Sequence, residues 1–245
     1  MLYDRITNWL NEYVETAGLE TFVIGVSGGI DSALTSTLAA RTGKRTIVLS
    51  MPIHQGSDQL ERAHNHIDWL KKNFSSVESM EIDLTKTFEQ FKSLFDGEDF
   101  LALANSRSRL RMVTLYQIAT MNKGLVVGTG NKVEDFGVGF YTKYGDGGVD
   151  ISPIADLMKS EVRELAKQLG INDEIIVAPP TDGLWGDDRT DEDQIGATYD
   201  ELEWAMNFNG DISNLSKRNL EVLEIYNRFN TQNKHKMVEI PVFKK

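Results

Sequence analysis

Residues 21–32 read Thr-Phe-Val-Ile-Gly-Val-Ser-Gly-Gly-Ile-Asp-Ser: a β-branched and aromatic run reaches two glycines and passes at once into the helix-compatible segment 32–40. Such a strand–loop–helix aims backbone N–H groups and the positive end of a helix dipole at whatever occupies the loop. Gly28 and Gly29 let the backbone approach an anion with no Cβ in the way. Ser27 and Ser32 add hydroxyl donors. Asp31, in the first helical turn, stays ionised there and can hold a divalent cation.

Two familiar phosphate loops do not fit this stretch. A Walker A loop needs G-x-x-x-x-G-K-[ST], which does not follow this strand. A dinucleotide fingerprint needs G-x-G-x-x-G, and Gly25-Val26-Ser27-Gly28 has the wrong spacing. The string S-G-G-x-D-S resembles the PP-loop of ATP pyrophosphatases, which split ATP into AMP and pyrophosphate. The blander reading is a plain helix N-terminus with a glycine-rich entry. The whole six-residue string in a strand–helix context favours the loop.

Composition is consistent with an enzyme domain. A chain of 245 residues that is 40% hydrophobic can bury one sizeable core, read as a single α/β domain spanning 1–245. No window approaches 18 uninterrupted apolar residues, so no membrane span is expected. Leu2, Ile6, Trp9, Leu10, Tyr13 and Val14 have helical periodicity with acidic interruptions, unlike a signal peptide, and point to a cytoplasmic location. With no cysteine, disulfides, thiolate metal sites and cysteine nucleophiles are excluded. A net charge of −11 argues against nucleic acid as the main partner.

Strand-like segments at 21–26, 45–51, 76–82 and 125–129 alternate with helical ones at 57–74, 86–95 and 99–122. Strands separated by helices of this length imply βαβ units and a Rossmann-like parallel sheet flanked by helices, with ligands at the carboxyl ends of the strands. Both the S-G-G loop and Thr129 fall at such ends. Residues 130–148 hold six glycines and read as a long functional loop. Residues 178–189 read as an irregular lid, disordered without ligand, and Thr190-Asp191-Glu192-Asp193 as a capping box opening a helix through Met206.

Further segments sharpen the resemblance. Asn105-x-Arg107-x-Arg109-x-Arg111-Met112, Val126-Val127-Gly128-Thr129 with Glu134, the run Thr142-Lys143-Tyr144-Gly145-Asp146-Gly147-Gly148-Val149-Asp150, and His235-Lys236 look like those of ammonia-dependent NAD synthetases. The likeness runs in the same order from residue 21 to 236. It implies the adenine nucleotide α-hydrolase (PP-loop) fold and a ligase that makes NAD, AMP and pyrophosphate from nicotinate adenine dinucleotide (deamido-NAD), ATP and ammonia. By resemblance, Gly25, Val26, Ser27, Gly28, Gly29, Ile30, Asp31, Ser32, Thr129, Lys159 and Thr181 bind ATP. Asp31 and Glu134 hold Mg²⁺, and Asp31 and Lys159 are the catalytic pair. Arg109, Lys143, Asp150, His235 and Lys236 bind the dinucleotide. A homodimer with that site at the subunit interface is also implied.

The chain departs from the family pattern in three places. The span from Glu134 to Lys143 is one residue longer than in some members, and Ser108 stands where alanine is usual. Pro180-Thr181-Asp182-Gly183 is shifted, leaving Thr181 and Pro180 as alternatives for one ATP position. Arg107, Arg109 and Arg111 alternate, so on a helix at most two share a site, and Lys159 alone reads as a first-turn surface lysine. Competing functions are another PP-loop adenylating amidotransferase core, a tRNA-modifying PP-loop enzyme, and a non-catalytic nucleotide sensor. With no cysteine and no residues left over for a glutaminase domain, free ammonia is the expected nitrogen source.

Overall fold

The computed structural model describes residues 1–97, 99–181 and 190–245. Four parallel strands, β1 (Thr21–Gly25), β2 (Arg45–Ser50), β3 (Val77–Glu81) and β4 (Gly124–Val126), form a sheet of order β3-β2-β1-β4. Val127 extends the pairing by one parallel bridge to Ile151. The chain leaves β1 towards β2 and β3, then returns to the other side of β1. The carboxyl ends of β1 and β4 are therefore the point where strand order reverses, and crevices open at such points.

Alternation along the central strands sets the two faces. Phe22 and Ile24 of β1 and Leu125 and Val127 face one apolar cluster; Val23 and Val126 face another. The first cluster is closed by α1 (Leu2–Thr16), α2 (Ile30–Arg41) and α6 (Lys159–Gln168), through Leu10, Leu34 and Leu165 among others. The second is closed by α4 (Thr85–Lys92) and α5 (Phe100–Met121), through Phe88, Met112 and Leu115. A strand buried on both faces reads as a continuous apolar run, which is why 21–26 and 125–127 stand out in the sequence. Helix α3 (Ser57–Asn73) covers Val48 with Ala63, Ile67 and Leu70.

Two expectations and one blander alternative need correction. The long loop after β4 contains a π-helix, Val133–Val138, closed by Gly139 at φ +63°. The helix expected from 190 to 206 is two: α8 (Asp191–Ile195) ends at Gly196, φ +89°, and α9 (Tyr199–Asn207) restarts behind Thr198. Thr198 accepts from Glu201 N while Glu201 returns to Thr198 N, a second capping box. Lys159 is no surface residue, being 2% exposed. Of the expected lid, residues 182–189 lie outside the described residues.

The π-helix packs with α8, α9 and α10 (Lys217–Met237) in a separate apolar cluster around Val133, Val138, Tyr199, Leu202 and Val222. This unit sits over the ends of β1 and β4 and supplies the far wall of the crevice.

Candidate functional site

The loop after β1 is shaped by its own serines. Gly28 takes φ +84°, a conformation that favours glycine, and a Cβ there would meet Gln59 O and the Ala63 nitrogen of α3. Ser27 N donates to Ser32 Oγ at 3.2 Å, Ser32 Oγ donates to Gly29 O at 2.9 Å, and Gly29 N donates to Ser27 Oγ at 3.3 Å. The hydroxyls expected to face an anion thus hold the loop open around the start of α2.

Three charged groups meet beside that loop. Lys159 Nζ donates to Asp31 Oδ2 at 2.6 Å and to Glu134 Oε1 at 3.0 Å. Asn131, fully buried, donates to Asp31 Oδ1 at 3.1 Å and accepts from the Val133 and Glu134 nitrogens, so one side chain caps the π-helix and fixes the loop acid. Tyr199 OH donates to Glu134 Oε1 at 2.5 Å, and Lys159 Nζ lies 4.6 Å from the Tyr199 ring centroid. Burial alone would discharge Lys159, but the two carboxylates outweigh it and hold the ammonium charged. Burial raises Asp31 above the ordinary carboxylate range. For Glu134 burial is overruled by Lys159 and the tyrosine bond, and its pKa is lowered.

The two motif segments expected to hold substrate dock on each other. Thr142 Oγ1 donates to Asn105 Oδ1 at 2.6 Å, and Ser108 Oγ donates to Asp146 Oδ1 at 2.6 Å while accepting from Asp146 N at 2.9 Å. Ser108 therefore builds the 142–148 turn, a task alanine cannot perform. Helix α10 ties in from the other side: Lys143 Nζ donates to His235 O at 3.0 Å, and Lys236 Nζ donates to Gly139 O and Tyr141 O.

These elements surround one cavity of ≈ 780 Å³. Gly25 to Ser32, Thr129, Glu134, Lys159, Thr181, Arg109, Lys143, His235 and Lys236 all line it, as does Pro180. Of the three alternating arginines, Arg109 and Arg111 line it, whereas Arg107 stacks over the Phe88 ring.

Asp150 does not line the cavity. Its carboxylate accepts from Val126 N at 2.8 Å and from Tyr116 OH at 2.9 Å, fastening β4 to α5. In this arrangement the carboxylate is committed to the scaffold. Asp150→Ala is expected to cost about 1–2 kcal/mol of stability by orphaning those donors, with ATP affinity unchanged. Urea unfolding beside nucleotide titration checks both halves; unchanged stability with weakened dinucleotide binding would return Asp150 to the substrate site.

The family model described as NAD synthase matches residues 2–241. The chain belongs to the NAD synthase family. Its relatives are carbon–nitrogen ligases: the NH(3)-dependent NAD(+) synthetase of Mesoplasma florum is 38% identical over 205 residues, covering 82% of this chain and 81% of that protein. Among solved structures, NMN synthetase from Francisella tularensis superposes with a TM-score of 0.90 at 32% identity, over 100% of this chain and 98% of that one. The NH3-dependent NAD synthetase of Campylobacter jejuni gives 0.81 at 25% identity, over 99% and 98%. The NAD synthase likeness accounts for the strings in 27–32 and 142–150. It does not by itself point to Asn131 and Tyr199. The Asn three residues before Glu134, opening a helix, was the available signal for Asn131; Tyr199 carried none.

Proposed function

We propose that this NAD synthase amidates the nicotinate carboxylate of deamido-NAD with free ammonia, at the expense of ATP cleaved to AMP and pyrophosphate. The observation that carries it is the single cavity in which the PP-loop, the Lys159–Asp31–Glu134 cluster and the 105–112, 142–148 and 235–236 segments face one another. A carboxylate is a poor acyl donor. Its oxygen first attacks the α-phosphorus of ATP, pyrophosphate leaves, and ammonia then displaces AMP from the adenylated carbonyl. Charge grows on the departing pyrophosphate, and the N–H groups of Gly28 and of the first turn of α2 are the donors that would meet it.

Asp31 and Glu134 offer hard carboxylate oxygens on either side of Lys159, a donor set suited to Mg²⁺ that completes its shell with phosphate oxygens and water. Bound there, the ion would neutralise phosphate charge. Lys159 holds the two acids together and adds its own positive charge. In the same reading the enzyme is cytoplasmic and works as a homodimer; apolar Phe100, Leu101, Val113 and Met121 are exposed on α5 and available for such an interface. No described helix is long and apolar enough to cross a membrane.

A second reading differs only in the acceptor. The Francisella protein, matched over the full chain, is an NMN synthetase, which favours nicotinate mononucleotide as an alternative substrate. One assay separates the two: purified protein, ATP, Mg²⁺ and ammonium, with either acceptor, followed for NAD and for NMN. Greater kcat/KM with deamido-NAD supports the main reading, and the reverse overturns it. Glutamine freed of ammonia is expected to yield no product. Asp31→Asn should lower turnover on the order of 100-fold or more while the fold is kept, because a charge facing the leaving group is lost. Near-normal product formation by the folded variant would remove Asp31 from the mechanism.

A further inference from the structure

The cationic side chains lining the cavity are Arg62, Arg109, Arg111, Lys143, Lys159 and Lys236. Five of them already donate to protein oxygens. Arg109 bonds Lys143 O, Arg111 bonds Met51 O and Gln55, and Lys143 bonds His235 O. Lys236 bonds two carbonyls, and Lys159 is neutralised by two carboxylates. Arg62 differs. Its Nε is buried with no hydrogen-bond partner, and among the described residues its guanidinium forms no ion pair.

Its position is specific. The turn of α3 from Gln59 to Ala63 is the wall against which the PP-loop lies, and a Cβ on Gly28 would sit 3.3 Å from Arg62 Cβ. The side chain therefore starts beside the same loop that is proposed to hold the pyrophosphate. With Nε enclosed by protein, the terminal N–H groups of the guanidinium are the ones a ligand can reach. The planar guanidinium fork matches phosphate oxygens two at a time. The loop floor needs such a charge, because Lys159 is already offset by Asp31 and Glu134.

We propose that Arg62 is a phosphate-binding residue of this site, gripping the pyrophosphate half of ATP across the loop from Lys159. The proposal rests on the reading of the chain as an ATP-cleaving ligase. Arg62 holds the β- and γ-phosphates and follows them as the bond to the α-phosphorus breaks; it does not contact AMP or the dinucleotide.

Calorimetric titration of the Mg²⁺-loaded protein and of Arg62→Gln and Arg62→Lys tests this with pyrophosphate, ATP, AMP and deamido-NAD as separate probes. Arg62→Gln should weaken pyrophosphate and ATP about 10- to 100-fold, leaving AMP and deamido-NAD within about twofold. Arg62→Lys should recover part of the loss, since it restores charge without the fork. Steady-state kinetics should show the change chiefly in KM for ATP. Equal weakening of AMP and pyrophosphate, or no weakening of either, overturns the assignment of Arg62 alone. Wild-type protein that binds neither ATP nor pyrophosphate overturns the ligase reading with it.

Discussion

A Lys159→Met protein is expected to be about 3–5 kcal/mol less stable at pH 7, because removing one partner of a buried ionic cluster leaves its opposite charges uncompensated. The lysine is 2% exposed and the carboxylates it bridges are each 18% exposed. Turnover should vanish as well, since Asp31 and Glu134 then repel each other at the mouth of the PP-loop. Adding Asp31→Asn and Glu134→Gln to the same protein should restore most of the stability and none of the activity, as removal of all the charges together is often neutral. Urea unfolding of the single and triple variants measures it. A single variant within about 1 kcal/mol of the parent would mean that the ammonium is not the counter-charge this arrangement implies.

The second large effect lies on the acid side and comes from α3. His66 is 1% exposed, its Nε2 is 3.0 Å from Ser36 Oγ of α2, and its ring stacks on Trp69. Burial lowers its pKa from 6.5 to about 4, against a weaker opposing bond to Ala33. The folded state keeps the ring neutral while the unfolded chain takes up a proton below 6.5. Stability from this residue is therefore full above pH 6.5 and falls as pH drops to 4, by about 3 kcal/mol in all and about 2 between pH 7 and 5. His66→Gln, which cannot titrate, should lack that portion of the acid-side loss. Identical pH dependence in the two proteins, followed by urea unfolding at pH 7 and 5, would show that the ring titrates without linkage to folding.

The parts of the molecule that could be read from the chain are those whose chemistry is local. The PP-loop is a contiguous string, and β1 and β4 announce themselves because a strand buried on both faces is apolar throughout. Helix α8 was readable at its start, Thr190 with Asp193, but its early end was overlooked although Thr198 and Glu201 repeat the same signature. The acid–lysine cluster is another matter. Lys159 stands 128 positions from Asp31; the spacing of Val162 and Ala166 puts it on the buried face of α6, but a lysine there reads as a first-turn cation. Only likeness to a family placed it in the site. The same likeness placed Asp150 there, where the geometry shows its carboxylate spent on Val126 N and Tyr116 OH. Arg62 left no trace in the sequence because an arginine on an amphipathic helix looks like any solvated charge.

The π-helix at Val133–Val138 alters how distance along this chain should be counted. A π turn holds one more residue than an α turn between the same hydrogen-bonded ends. The extra residue expected between Glu134 and Lys143 would thus be absorbed as a wider coil instead of a longer excursion, with Asn131 pinning its start and Gly139 its end. Positions carried over by counting from Glu134 of a shorter relative would then run one residue short from that coil onward, until the count is re-anchored at Thr142. Any mutational map carried over from such a relative should be re-indexed between 135 and 141 before a phenotype is assigned to a side chain.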